Sequence, residues 1–150
     1  MILYITFVIR KINEIKVEMK KFPAQFQKVV DFLKEENGVK VTLGSATYYH
    51  QRMGEICIHH NHNLEKRGLY ALLHEAGHSL QPETATGVNL YKIIDEDDYP
   101  RQFAMYQFLN ENDAWDKAVM IAAELELEIN VREFNKFREE CLLTYFKSTN

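Results

Sequence analysis

The chain has 150 residues, of which 18 are basic and 22 acidic, so its net charge at neutral pH is −4. This length predicts one domain, residues 1–150, with a substantial apolar core. The near balance of charge, without a long basic stripe, argues against nucleic acid as a partner. The two cysteines, Cys57 and Cys141, lie far apart in the sequence. We therefore expect free thiols, as in a reducing cytosol, rather than a disulfide framework.

The first apolar run, Ile2 to Ile9, is too short to cross a bilayer. Arg10 and Lys11 follow it, no basic residue precedes it, and no small-residue cleavage site comes after it, which disfavours a secretion signal. Its β-branched and aromatic residues predict a buried strand instead. We therefore expect a cytoplasmic protein without a membrane partner. The next stretch, residues 12–19, alternates irregularly and leaves strand and loop open.

A helix and two short strands are predicted next. Pro23 can occupy the first turn of a helix, apolar residues repeat at helical spacing from Phe22 to Leu33, and Asn37-Gly38 is typical of a helix C-cap. Val39–Leu43 alternates like a strand, and Glu55–His59 predicts a second one. An exposed edge of the resulting small sheet could pair with an extended peptide.

All six histidines lie between positions 50 and 78, and His59, His60 and His62 form a separate cluster. One of these three could bind a metal or polarise a substrate carbonyl. The other interpretation is a polar loop that leads to a helix with Asn63 as its N-cap. We favour the loop, because two histidines at a strand end define a metal site less well than two on a helix.

The helix predicted from Asn63 to about Leu80 contains the most informative segment, His74-Glu75-Ala76-Gly77-His78. Residues four apart lie one above the other on a helix, so His74 and His78 can offer two ring nitrogens to one metal ion. Glu75, about 100° further round, can reach a water on that ion without being a ligand. Two histidines and a carboxylate from elsewhere leave a fourth position open, which is typical of catalytic zinc.

The same helix is predicted to lie between two layers. Its larger apolar residues share one side, the histidines lie almost opposite, and the small Ala71 beside them allows another element to approach. Gln81-Pro82 should end the helix. The segment 81–98 has no clear period, and its acidic run, residues 95–98, lacks the ligand spacing of a calcium site.

A long helix from Pro100 to about Leu127 supplies a candidate for the third ligand. On a helical wheel, Glu111 lies on the apolar face, near Trp115, whereas Asp113 lies on the far side. An ionised carboxylate in an apolar layer needs a partner, and a metal ion would provide one. Glu111 is therefore the predicted third ligand, and Asp113 is the reserve.

A last helix is predicted after Asn130, which forms a plausible capping box with Glu133. The elements together predict an α+β fold. In it, a small and mostly antiparallel sheet packs on the active-site helix, and the C-terminal helices form the second layer.

The His74-Glu75-x-x-His78 motif, followed by Glu111-x-x-Ala114 on a later helix, resembles the gluzincin group of zinc metallopeptidases. Over about residues 55 to 126 the chain is most similar to the compact ImmA/IrrE-like peptidases. This resemblance implies a minimal zincin-like fold, Zn²⁺ held by the two histidines and Glu111, Glu75 as general base, and a peptide or protein substrate. ImmA/IrrE-like chains often have Glu-Ala-Asn where this one has Asp113-Ala114-Trp115, so the choice between the two acids stays open.

Other assignments are weaker. A metzincin would need Gly and His where this chain has Gln81 and Thr84. Peptide deformylase takes its third ligand from an upstream cysteine, but the residues around Cys57 lack that family's Glu-Gly-Cys-Leu pattern. A zinc-bearing domain that binds a peptide or protein without cutting it is the alternative from another class. Several side chains remain candidates for the oxyanion donor: Tyr91, Tyr99, Tyr106, His62 and Arg101.

Overall fold

A computed structural model describes residues 22–81 and 100–147. Within these ranges the chain forms four α-helices and one three-stranded sheet, an α+β arrangement as predicted. The segments 2–9, 12–19 and 95–98, for which the sequence also gave expectations, lie outside the described residues. No helix in the described ranges is both long and apolar enough to cross a membrane.

Helix α1 spans Ala24–Asn37, which confirms the first predicted helix. Its apolar face is fully buried at Phe26, Val29 and Leu33. The helix ends where Gly38 takes up a left-handed conformation with φ of 64° and donates its amide to the carbonyl of Lys34. A residue with a Cβ would be strained in that conformation, and this explains the glycine at the C-terminal turn.

Three strands follow: β1 at Lys40–Gly44, β2 at Tyr48–His50 and β3 at Glu55–His59. The two predicted strands are confirmed to within one residue, whereas β2 was missed. Strand β3 is central, parallel to β1 and antiparallel to β2. The prediction of a mostly antiparallel sheet is therefore wrong for the described strands. The chain reverses direction twice between β1 and β3, the second time through Gln51–Met53, and so returns in its original direction.

Helix α2 spans Arg67–Ser79 and carries the histidine motif. It begins later than predicted, because Asn63 does not cap it. The Asn63 side-chain oxygen accepts a hydrogen bond from the Glu65 amide, and the Asn63 backbone carbonyl accepts one from the Gly68 amide. These hydrogen bonds hold the chain in a turn ahead of the helix. Nine of the 13 residues of α2 are buried, since the helix packs against α1 and the sheet and also against the C-terminal helices. The predicted sandwich is thereby confirmed.

Helices α3, Pro100–Glu124, and α4, Val131–Lys147, form the second layer. The side chain of Asn130 accepts the amide of Glu133 at 3.1 Å, as predicted for the N-cap of α4. The guanidinium of Arg138 on α4 joins the two helices by donating to Asn112 Oδ1 and Asp116 Oδ1 of α3, both at 2.7 Å.

Candidate metal centre

Three side chains from α2 and α3 meet in the layer between those helices. The rings of His74 and His78 lie one helical turn apart, with their centroids separated by 4.6 Å. Glu111 of α3 faces both, since its Oε2 is 3.0 Å from His74 Nε2 and 3.2 Å from His78 Nε2. One ligand atom from each residue lies within 4.8 Å of the other two, so the group could hold a metal ion. No other group of histidine, cysteine or acidic residues converges in this way within residues 22–81 and 100–147.

The spacing and the chemistry of these donor atoms fit a metal ion. Ligands at 2.0–2.1 Å from a tetrahedral centre lie about 3.3 Å from one another, close to both distances from the Glu111 oxygen. The Nε2 atom of His74 is enclosed, and despite its nearness to Glu111 it has no hydrogen-bond partner among the described residues. Leaving a buried polar nitrogen unpaired is unfavourable. A cation between the three side chains would remove that cost.

The close crossing of α2 and α3 at Gly77 and Ala114 brings these residues together. A Cβ built on Gly77 would collide with the backbone carbonyl oxygen of Ala114. Gly77 directly precedes His78, and Ala114 lies three residues after Glu111, so both sit beside the ligands. The absent side chain at Gly77 therefore sets how near the Glu111 carboxylate can come to the imidazoles.

The electrostatics of the group follow from this proximity. Burial alone would raise the pKa of Glu111, but the imidazoles of His74 and His78 outweigh it and lower the pKa to about 2. Burial would lower the pKa of His78, but the Glu111 carboxylate beside it raises the pKa above its ordinary value. Glu111 is therefore ionised at neutral pH and presents a negative charge to whatever lies between the rings.

The three converging side chains of His74, His78 and Glu111 are called the metal group below. Glu75 lies beside this group without belonging to it. Its side chain is buried, and its Oε1 is 3.9 Å from His74 Nδ1, too far for a hydrogen bond. Burial raises the pKa of Glu75, although the two histidines and a hydrogen bond from the Tyr49 backbone of β2 act in the opposite direction. Glu75 thus lies close to the three converging side chains but is not one of them.

Asp113, the reserve ligand, points elsewhere. Its carboxylate accepts hydrogen bonds from the ammonium of Lys117 at 2.7 Å and from the side-chain amide of Gln81 at 2.9 Å. The Asp113 side chain is about half exposed. These partners lower its pKa although slight burial acts to raise it. Of the two acids that the sequence left open, Glu111 is the one that meets the histidines.

Two neighbours of the histidines were not recognised in the sequence. Gln81 Oε1 lies 2.8 Å from His78 Nδ1, and the Gln81 amide donates to the Asn110 carbonyl at 2.9 Å. The indole of Trp115 lies parallel to His74, with an angle of 1° between the planes and 4.2 Å between the centroids. The available signals were the position of Gln81 three residues after His78 and that of Trp115 one turn after Glu111.

The remaining candidates are not part of this group. The rings of His59 and His62 stack with centroids 5.5 Å apart, and His60 Nδ1 lies 2.6 Å from the Gly44 carbonyl. This arrangement matches the predicted polar loop. Cys57 is buried in β3 with its sulfur against Gly44, and it does not join the metal group.

The structure does not assign an oxyanion donor. Tyr91 and Tyr99 lie outside the described residues. Arg101 is exposed near the start of α3, and Tyr106 lies further along the same helix. His62 belongs to the stacked loop histidines.

Comparisons of this chain with protein-family models, with curated proteins and with solved structures found no match. The function is therefore argued from the geometry of the metal centre.

Proposed function

We propose that this chain is a zinc-dependent peptidase with a zincin-like fold. In this proposal, His74, His78 and Glu111 hold the ion, and Glu75 acts as the general base. One observation carries the proposal: the ligand atoms of the three residues converge, and the carboxylate that follows the first histidine is buried directly beside them.

The donor set supports zinc among the metals that this group could hold. Two imidazoles and one carboxylate are the protein ligands of many hydrolytic zinc sites, which keep a fourth position for water or substrate. Imidazole also suits other transition metals. The open fourth position distinguishes such a site from a structural zinc site, in which four protein ligands enclose the ion.

The chemistry divides between the ion and Glu75. A bound zinc ion would act as a Lewis acid, polarising a carbonyl and lowering the pKa of a water towards neutrality. Glu75 would accept the proton of the attacking water and pass it to the departing amine. Because Glu75 holds no ligand position, its carboxylate stays available for this transfer.

The neighbouring sheet supports a peptide as the substrate. Strand β2 lies at the edge of the described sheet, and its Tyr49 backbone donates to the Glu75 carboxylate. An extended peptide that paired with this edge, main chain to main chain, would run past the base. The sheet edge and the metal group are therefore adjacent, as cleavage of a peptide backbone requires.

Metal content and peptide cleavage, measured together, test the proposal. The purified protein is dialysed, its zinc is counted by elemental analysis, and its action on a peptide library is followed by mass spectrometry. We expect one zinc per chain and cleavage. Glu75→Gln should keep the zinc and lose about 10²–10⁴-fold in rate. The control Glu65→Gln, at an exposed position ahead of α2, should match the wild type.

Two results would contradict the proposal. Cleavage by Glu75→Gln at the wild-type rate would show that Glu75 is not the base. A protein that retains no zinc would show that the donor set does not hold this metal. The position of β2 at the edge of the described sheet also favours a second candidate, a zinc-bearing module that binds a peptide without cutting it. Stoichiometric zinc with no cleavage of any library peptide would support that candidate.

A further inference from the structure

The two imidazoles of the metal group are held by different means. A histidine that binds a metal through one ring nitrogen is usually oriented by a hydrogen bond from the other. His78 follows this rule, because its Nδ1 can donate to Gln81 Oε1 at 2.8 Å. Gln81 is itself held, since its amide donates to the Asn110 carbonyl and to Asp113. Nε2 of His78 is thereby left to face Glu111.

His74 lacks such a restraint among the described residues. The nearby carboxylate oxygen Glu75 Oε1 is 3.9 Å from its Nδ1, and no other described group forms a hydrogen bond with that nitrogen. Hydrogen bonding to described residues therefore does not explain what holds the plane of the His74 ring, whose Nε2 lies 3.0 Å from Glu111 Oε2.

Stacking supplies the missing restraint. The indole of Trp115 covers one face of His74 with its plane tilted by only 1°. Rotation of the imidazole about its Cβ–Cγ bond would drive a ring edge into the indole at this distance. Trp115 cannot move aside, because it is fully buried and its sides are held by edge-on contacts with Phe134 and Phe137 of α4.

We propose that Trp115 is the positioning residue for His74 and achieves by stacking what Gln81 achieves for His78 by hydrogen bonding. The inference rests on the metal-binding part of the proposed function. It also gives α4 a role, since the aromatic side chains of that helix hold Trp115 against the ligand.

Zinc affinity, measured by competition with a chromophoric chelator, tests the role without recourse to activity. Trp115→Phe retains a flat ring and should bind zinc within a few-fold of the wild type. Trp115→Met fills similar space without a ring face and should raise the Kd by about 10–100-fold, the usual effect of losing a residue that orients a ligand. The control Phe26→Met changes a fully buried aromatic residue on α1 and should leave the Kd unchanged.

Because replacing a fully buried tryptophan can prevent folding, the wild type provides a second test. The only tryptophan of the chain should shift the ring C–H proton resonances of His74 upfield through its ring current. Absence of that shift would overturn the inference, as would a Trp115→Met protein that binds zinc as tightly as the wild type. A wild type that shows the shift but binds no zinc would instead overturn the proposed zinc site, and this inference with it.

Discussion

The backbone of α2 at Gly77 lies directly against the backbone carbonyl of Ala114 on α3, with no side chain between them. This contact determines the distance between the helix that carries the two histidines and the helix that carries Glu111. The metal group therefore depends on a residue that contributes no ligand.

Gly77→Ala should destabilise the protein and weaken metal binding together. In an isolated helix, alanine is more favourable than glycine by about 1 kcal/mol. Here the added methyl would meet backbone, which cannot rotate away, and overpacking of this kind typically costs about 1–3 kcal/mol. We expect the collision to outweigh the helix propensity, so that urea denaturation gives a lower free energy of unfolding and chelator competition a higher Kd for zinc.

Gly68→Ala on the same helix is the matched control for Gly77→Ala. Its added methyl would meet the flexible end of Leu64 at 2.9 Å and the backbone carbonyl oxygen of Asn63 at 3.0 Å, both less close than the approach to the Ala114 carbonyl oxygen at Gly77. The effect on stability should be smaller, and the zinc affinity should not change. A Gly77→Ala protein that is more stable than the wild type would show that the two helices separate freely.

Glu111→Gln should abolish tight zinc binding, whereas Asp113→Asn should not. Glu111 contacts both histidines directly, so we expect its replacement to raise the Kd by more than the roughly 100-fold upper range typical of outer-shell residues. Asp113 reaches the site only through Gln81 and should change the Kd by less than about 10-fold. Asp116→Asn, at an exposed acid that pairs with Arg138, is the control, and the reverse order of effects would make Asp113 the ligand.

The sequence identified those parts of the fold that repeat with a regular period. The buried face of α1 was readable because burial recurs every three or four residues along it, at Phe26, Val29 and Leu33. Strand β2 was not, because Tyr48–His50 is too short to show alternation and is defined by its pairing with β3. The start of α2 was misplaced because the hydrogen bonds of Asn63 stabilise a turn that competes with the helix.

The residues of the candidate metal centre likewise divide into those predicted from local patterns and those defined by tertiary contacts. His74 and His78 were predicted from a spacing that any helix imposes, and Glu111 from its position as an acid on an apolar face. Trp115 could not be predicted as a neighbour of His74, because that contact depends on how α2 and α3 cross. That crossing is a tertiary property, and a single chain gives only the local position of each residue. The contact between Gln81 and His78 is local, and its three-residue spacing was overlooked.

Cys57→Ala should leave zinc binding intact. Cys57 is buried in the central strand, away from the metal group, so its replacement should lower the free energy of unfolding by about 1 kcal/mol through lost packing. The Kd for zinc should not change. Cys141→Ala is the control, because burial raises the pKa of that thiol to about 11 and keeps it protonated at neutral pH. A large rise in the Kd for zinc in Cys57→Ala would instead indicate that Cys57 binds the metal, as the upstream cysteine of peptide deformylase does.

The metal-free protein and the zinc-loaded protein should respond oppositely to pH. Without metal, the raised pKa of His78 means that its pairing with Glu111 stabilises the fold fully below about pH 6.5, and this contribution is lost as the pH rises through the folded value. The pKa of Glu111, lowered from 4.5 to about 2, gives a contribution that is present above about pH 4.5 and is lost as the pH falls towards 2. The metal-free site should therefore stabilise the protein most between these limits.

Zinc reverses the upper part of this dependence, because it binds only unprotonated imidazole and protons compete with it for His78. The rise in Tm caused by zinc should therefore grow from pH 5.5 to pH 7.5. The contribution of His78 to the stability of the chelator-treated protein should instead decline in the upper part of this interval, above about pH 6.5. Thermal unfolding at three pH values, with zinc and with chelator, measures both trends. In His78→Gln the metal-free decline should be reduced and zinc should have little effect on Tm. A zinc-dependent rise in Tm of equal size at every pH would place the ion away from His78.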